Sequence, residues 1–249
     1  MRKLYRYLNK HYFQRLRHDL IGHLRKEPGR KVDFLICGVQ KGGTTVLDTY
    51  LRTHPEICMA RFKEVHYFDR ENLFLYPKPD YSLYHSFFNP TDQHRVLGET
   101  TPVYMYWYQA PRRIWEYHPA IKLIIILRNP VERAYSHWNM QRDRGIEPLD
   151  FLVALQAEEQ RRRDSLPYQN RRFSYLDRGY YTEQIRRMRT FFPAEQLIFF
   201  RNRDLRDTPL AVLNKICAFL GVAEPEEPFP RSTAREEFWE RLGGEPAET

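Results

Sequence analysis

The sequence predicts an α/β fold: a central parallel sheet with helices on both sides, in three layers. Three observations carry this expectation. Short apolar runs alternate with helical patterns along most of the 249 residues. The run at residues 122–127 is unbroken and rich in isoleucine, as a strand buried on both faces must be. The first apolar run ends in a Gly-rich turn that opens directly into a helical pattern, the connection that βα units use.

Taken in order, the elements are a strand at 33–38, a helix at 44–54, and strands near 57–60 and at 95–99. A helix at 110–117, a strand at 122–127 and a helix at 131–142 follow, the last with Pro130 where a helix can begin. Phe151 to Arg163 reads as a charged helix, and residues 161–172, with five arginines, read as a solvated loop in preference to a functional rim. Residues 177–192 are helical, 196–201 a strand and 208–220 a helix stopped by Gly221. No internal repeat is visible.

The length suits one domain with a sizeable core, and the hydrophobic content of 42% argues against disorder. The formal charge of +8 is unevenly placed. Residues 1–31 hold ten Lys/Arg and two Asp/Glu, so the rest holds thirty of each sign. The chain therefore divides into a basic arm, 1–31, and a balanced domain, 32–249, and no nucleic-acid partner is expected. The arm carries Leu4, Leu8, Tyr12, Leu16, Leu20 and Leu24 at four-residue spacing among basic residues, an amphipathic stripe that docks on the domain or lies on an anionic membrane surface. No 18-residue apolar run or uncharged signal core is present, so a cytoplasmic protein with peripheral membrane contact at most is expected. Three cysteines (Cys37, Cys58, Cys217) are too few and scattered for a disulfide framework, and Cys37 and Cys217 fall in apolar patterns. The nine histidines show no metal-ligand spacing, and no metal is expected.

The chemistry begins at Gly38-Val-Gln-Lys41-Gly42-Gly43-Thr44-Thr45. Such a turn aims several backbone N–H groups at one point, and the helix dipole favours an anion there. Gly38 and Gly43 have the spacing of a Walker A loop, but Thr44 replaces its lysine, and the lysine present, Lys41, lies inside the loop. The loop resembles the 5′-phosphosulfate-binding loop of sulfotransferases that use 3′-phosphoadenosine 5′-phosphosulfate (PAPS), Lys-x-Gly-Thr-Thr, with Lys41, Gly43, Thr44 and Thr45 in the matching places. The segment Leu123-Ile-Ile-Ile-Leu-Arg128-Asn-Pro-Val-Glu-Arg-Ala-Tyr-Ser136 is similar to the family's second signature. There the corresponding Arg and Ser grip the 3′-phosphate, a task for which the guanidinium fork is suited.

Lys63-Glu64-Val-His66-Tyr-Phe-Asp69 resembles a segment of the glycan-type branch, especially the enzymes acting on heparan sulfate. In those enzymes the glutamate is the proposed general base. If residues 64–69 are extended, Glu64 and His66 share a face opposite Val65 and Tyr67. Glu99-Thr100-Thr-Pro-Val-Tyr104 resembles the stretch lining the acceptor site, although relatives often carry lysine where Thr100 stands. The aromatic cluster at 104–108 reads as core.

The resemblance covers roughly residues 32 to 221. It implies a P-loop-like fold and transfer of sulfuryl from PAPS to an acceptor hydroxyl, without a metal. It implies Glu64, Lys41 and His66 as catalytic residues. Lys41, Gly42, Gly43, Thr44, Thr45, Arg128 and Ser136 hold the cofactor; Asp69, Glu99, Thr100 and Tyr104 face the acceptor. The acceptor is left open among oligosaccharide, glycolipid and small alcohol. The end departs from the family pattern: residues 223–230 are rich in Pro and Glu, and Arg231 or Arg235 is the candidate cation closing over the cofactor. A P-loop-type nucleotide kinase and a non-catalytic PAPS- or anion-binding module are the alternatives.

Overall fold

The computed structural model describes residues 30–75 and 79–225. The basic arm up to residue 29, with its membrane or domain docking, and the candidate closing residues Arg231 and Arg235 lie outside the described residues.

Five strands form one sheet: β1 (Phe34–Gly38), β2 (Ile57–Met59), β3 (Val96–Thr100), β4 (Lys122–Leu127) and β5 (Leu197–Arg201). Their order is β2-β3-β1-β4-β5 and every pairing is parallel. The helices are α1 (Thr44–Arg52), α2 (Tyr81–His85), α3 (Ala110–Tyr117), α4 (Pro130–Asp143), α5 (Phe151–Gln156), α6 (Glu158–Asp164), α7 (Tyr181–Arg189), α8 (Asn202–Asp207) and α9 (Pro209–Leu220).

The two-residue alternation of the strands divides the core into two layers. Leu35, Cys37, Leu123 and Ile125 face an aromatic layer containing Tyr67, Phe68, Tyr84, Tyr104 and Tyr117. Phe34, Ile36, Ile124 and Ile126 face an aliphatic layer with Leu47 and Leu51 of α1 and Leu213 and Ile216 of α9. Both sheet faces are thus covered, which explains the unbroken apolar run in β4. The three cysteines are buried thiols.

Most expected elements stand within two residues of their places, and α9 ends at Gly221 in the left-handed conformation. The charged helix at 151–163 is instead two, α5 and α6, broken at Ala157. The helix expected over 177–192 narrows to α7, preceded by a 3₁₀ turn at Asp177–Gly179. The short α2 and α8 and the 3₁₀ turn Glu71–Phe74 were not expected; each is six residues or fewer, too short for periodicity to register. The arginine run at 161–172 is not simply solvated. Arg161 forks onto the buried Glu147 at 2.6 and 3.0 Å, and Arg171 lies 3.7 Å over the Trp107 ring while bonding Asp69.

The chain moves from β1 toward the β2 edge, then back past β1 to β4 and β5. The carboxyl ends of β1 and β4 therefore flank the crevice where doubly wound sheets place ligands.

Candidate active site

β1 runs straight into the loop 38–43, and the loop into α1. Gly42 packs where a Cβ would lie 2.5 Å from the Ile126 carbonyl oxygen, so no larger residue fits. Gly43 has φ 98°, in the left-handed region, and is the N-cap of α1. No side chain caps that helix and its first turn holds no acidic residue, so its leading N–H groups remain for an anion.

Three remote contacts fix the loop. Asn202 Nδ2 donates to the Gly42 carbonyl at 2.9 Å, Arg128 Nη1 to the Lys41 carbonyl at 3.4 Å, and Arg178 Nη1 to Gln40 Oε1 at 2.6 Å. Arg128 leaves the end of β4, and Asn129 caps α4 by accepting from the Val131 and Glu132 amides at 2.9 and 3.3 Å. α4 then carries Ser136 and Met140, and its C-cap residue Arg144 continues the four-residue spacing on one face.

A cleft of about 360 Å³ opens here, lined by Lys41, Gly43, Thr44, Thr45, Arg128 and Ser136 together with Glu64. Those expected residues, 87 positions apart between Lys41 and Arg128, therefore meet in one place. Gly42 contributes its backbone to the loop beneath. Also on the lining are Gln40, Lys63, Pro102, Met140, Arg144 and Asn202, to which the sequence reading gave no role. The four-residue spacing from Ser136 was the available signal for Met140 and Arg144; Asn202, beyond β5, had none. Burial, then repulsion from Arg144, Arg128 and Lys63, lowers the Lys41 ammonium below its ordinary pKa.

The segment 63–69 reaches the cleft through Lys63 and Glu64. It is not extended as expected: Glu64 and His66 have φ 64° and 56°. The expected facing nonetheless holds, with Val65 and Tyr67 buried and Glu64 and His66 partly exposed. The Glu64 amide donates to the Thr100 carbonyl at 2.7 Å and the His66 amide to Thr101 Oγ1 at 3.4 Å, which anchors the segment to the end of β3.

The side chains form a chain of charges. Lys63 Nζ is 2.8 Å from Glu64 Oε1, His66 Nε2 is 3.6 Å from Glu64 Oε2, and His66 Nδ1 is 3.0 Å from Asp69 Oδ2. Arg171 donates to both Asp69 Oδ2 and the Asp69 carbonyl. Burial would raise the Glu64 carboxyl, but the His66 ring and the Lys63 charge outweigh it and hold it well below the carboxylate range. Burial would likewise lower His66, yet Asp69 and Glu64 push it up to about 9. Asp69 comes down to about 2 against burial, through His66 and Arg171.

Of the expected acceptor-facing residues, none lines the cleft. Asp69, Glu99, Thr100 and Tyr104 are buried, because β3 is covered on both faces and the 101–107 turns pack into the aromatic layer. Glu99 accepts from Tyr84 Oη at 2.6 Å, from Tyr104 Oη at 3.0 Å and from Thr101. Burial pushes its carboxyl up to about 7. Glu99 thus braces the Thr101 hydroxyl beneath His66, and its place is structural support behind the mouth. In the 104–108 cluster, Tyr104 to Trp107 are core and Tyr108 is exposed.

Comparison with known proteins gives the family. The family model described as "Sulfotransferase domain" matches residues 31–236. The human bifunctional heparan sulfate N-deacetylase/N-sulfotransferase 2 is 32% identical over 217 residues, covering 83% of this chain and 24% of that protein. Human heparan sulfate glucosamine 3-O-sulfotransferase 6 is 30% identical over 203 residues, covering 80% of this chain and 55% of that protein. The chain thus spans about a quarter to a half of the length of these relatives. The crystal structure of a sulfotransferase from Alicyclobacillus acidocaldarius superposes with a TM-score of 0.72 at 30% identity, covering 86% of this chain and 90% of that one.

Proposed function

The chain belongs to the sulfotransferase family, and we propose that it moves the sulfuryl group of PAPS to an acceptor hydroxyl, on a carbohydrate or glycolipid. One observation carries the reading: Glu64 opens onto the same cleft as the loop cation Lys41, the uncapped start of α1 and the Arg128–Ser136 pair. The residues present fit a doubly phosphorylated adenosine, since four cations (Lys41, Lys63, Arg128, Arg144) line the cleft against one carboxylate. Bound there, PAPS supplies an activated sulfur whose bond to a phosphate oxygen can break.

The N–H groups at Gly43 to Thr45 hold the 5′-phosphate, and Arg128 and Ser136 hold the 3′-phosphate. Glu64 accepts the proton of the acceptor hydroxyl as its oxygen bonds to sulfur in line. Lys41 stabilises the electron pair that the departing phosphate oxygen retains. His66, fixed by Asp69, orients Glu64. Lys41 and Glu64 act together only if acceptor and leaving phosphate stand on opposite sides of sulfur, and both residues line the one cleft. The heparan-sulfate relatives support a sugar acceptor.

No helix among the described residues is long and apolar enough to cross a membrane. We propose a cytoplasmic enzyme whose basic arm contacts anionic membrane; retention on anionic but not neutral vesicles, lost on removing residues 1–31, tests that contact.

Calorimetry with adenosine 3′,5′-bisphosphate (PAP), followed by transfer from labelled PAPS to an acceptor panel, tests the function. Micromolar binding of PAP and label on a sugar hydroxyl are expected. Failure of the folded protein to bind PAP would overturn the reading. Mg²⁺-dependent phosphoryl transfer from ATP would replace it with a kinase, and PAP binding without turnover on any acceptor with a binding module.

A further inference from the structure

Lys63 stands next to the reaction centre, counted among the cleft cations but with no step of its own in the reading above. Its ammonium is 2.8 Å from Glu64 Oε1, and both residues line the cleft that Lys41 also lines. Glu64 is the sole carboxylate among the lining residues. Successive residues on an extended chain point to opposite sides, so this neighbouring pair meets only because Glu64 adopts φ 64°. A non-glycine residue held there stores of order 1 kcal/mol or more, which the surrounding contacts must sustain. The Thr100 carbonyl, accepting from the Glu64 amide at 2.7 Å, is such a contact.

The arrangement has two chemical consequences. A carboxylate neutralised by an adjacent ammonium and touched by His66 is a poor proton acceptor, although Glu64 must take a proton. Lys63 and Lys41 also repel one another across the cleft, a strain that an anion between them would relieve. The lysine stem is long and turns without moving the backbone, and Lys63 is 21% exposed, so it has room to turn.

We infer that Lys63 exchanges partners: it pairs with Glu64 while the cleft lacks PAPS, and turns to the non-bridging sulfuryl oxygens once PAPS is held, which releases Glu64 as the base. The inference rests on the proposed function and names a second catalytic cation for it. Lys41 serves the bridging oxygen that leaves with the phosphate; Lys63 serves the three oxygens that travel with sulfur. The proton from the acceptor goes to Glu64, the acceptor oxygen forms the new bond to sulfur, and the old bond's electron pair stays on the phosphate. When the sulfated product leaves, Glu64 loses its proton to water and Lys63 returns.

PAP and PAPS differ by the sulfuryl group alone, so their affinities separate Lys63 from the phosphate-binding residues. Calorimetry on the full chain, on Lys63→Met, on Glu64→Gln and on the double variant makes the test. Lys63→Met is expected to weaken PAPS about tenfold, the value of a charge-assisted contact, while PAP stays within about twofold. Glu64→Gln, by removing the competing partner, is expected to tighten PAPS several-fold and leave PAP alone. In the double variant that gain disappears, which general loss of negative charge would not produce. Equal weakening of PAP and PAPS by Lys63→Met, or an undiminished Glu64→Gln gain with Met at 63, overturns the inference. Lys63→Gln, of similar length, replaces the methionine variant should that not fold. Absence of PAP binding by the unmodified chain is a separate result and sinks the function itself.

Discussion

The two walls of the cleft are built on opposite principles. The loop wall is mostly backbone: amides at the start of α1, a glycine pair, and a lysine whose charge is only weakly balanced. The mouth wall is side chain: Lys63 and Glu64 line it, backed by His66, Asp69 and Arg171, all already partnered in a row. The first wall holds its donors ready for an incoming anion. The second satisfies its own charges internally, so its chemistry depends on how that row is rearranged. One binds through what it lacks; the other tunes a proton through what it contains.

The sharpest way to break the comparison is Glu64→Gln. Turnover should fall about 10³-fold, the scale of a lost general base, while PAP affinity is preserved; near-normal turnover would remove Glu64 from the base role. Arg128→Ala acts on the other wall. It should weaken PAP about 30-fold in calorimetry, the value of charge-assisted bonds to a phosphate, with a smaller effect on turnover at saturating PAPS. Arg171→Gln acts behind the mouth, on Asp69 and on the Trp107 ring. It should lower kcat about tenfold with the PAPS KM unchanged, because Asp69 loses the bonds that fix it and His66 no longer holds Glu64 in place; a changed KM with constant kcat would contradict this.

The smallest effect is a pH dependence of stability. His66 rises from 6.5 to about 9 on folding, so its contribution is complete below pH 6.5 and disappears as pH climbs to 9. Glu99, raised from 4.5 to about 7, adds a decline between those values. Thermal melts should lose a few degrees between pH 6.5 and 9, and His66→Asn should flatten that limb; an equally steep limb in the variant would assign it elsewhere.

The loop wall was the more legible of the two in the sequence, because its geometry is local. Gly42, Gly43 and Thr44 follow one another, and Arg128 and Ser136 lie on one strand–helix joint. The mouth wall was legible only as residue types. The alternation of Val65 and Tyr67 with Glu64 and His66 survives, but through left-handed turns that no period predicts. Arg171 reaches Asp69 across 102 positions and was read as part of a solvated loop. Glu99 looked like an acceptor contact and proved to be a buried brace, since an isolated carboxylate in a strand gives no sign of which layer its side chain enters. Burial of a polar group is decided by partners such as Tyr84 and Tyr104, and those are set by tertiary packing.

The contacts from Arg128, Arg178 and Asn202 to the loop span 87, 138 and 160 positions. A transplant of residues 38–45 into a foreign βα unit would carry the glycines but none of these struts. The grafted octapeptide would then sample many shapes, and its amides would no longer converge. Shape at this spot is set by three elements remote in sequence, not by the octapeptide itself.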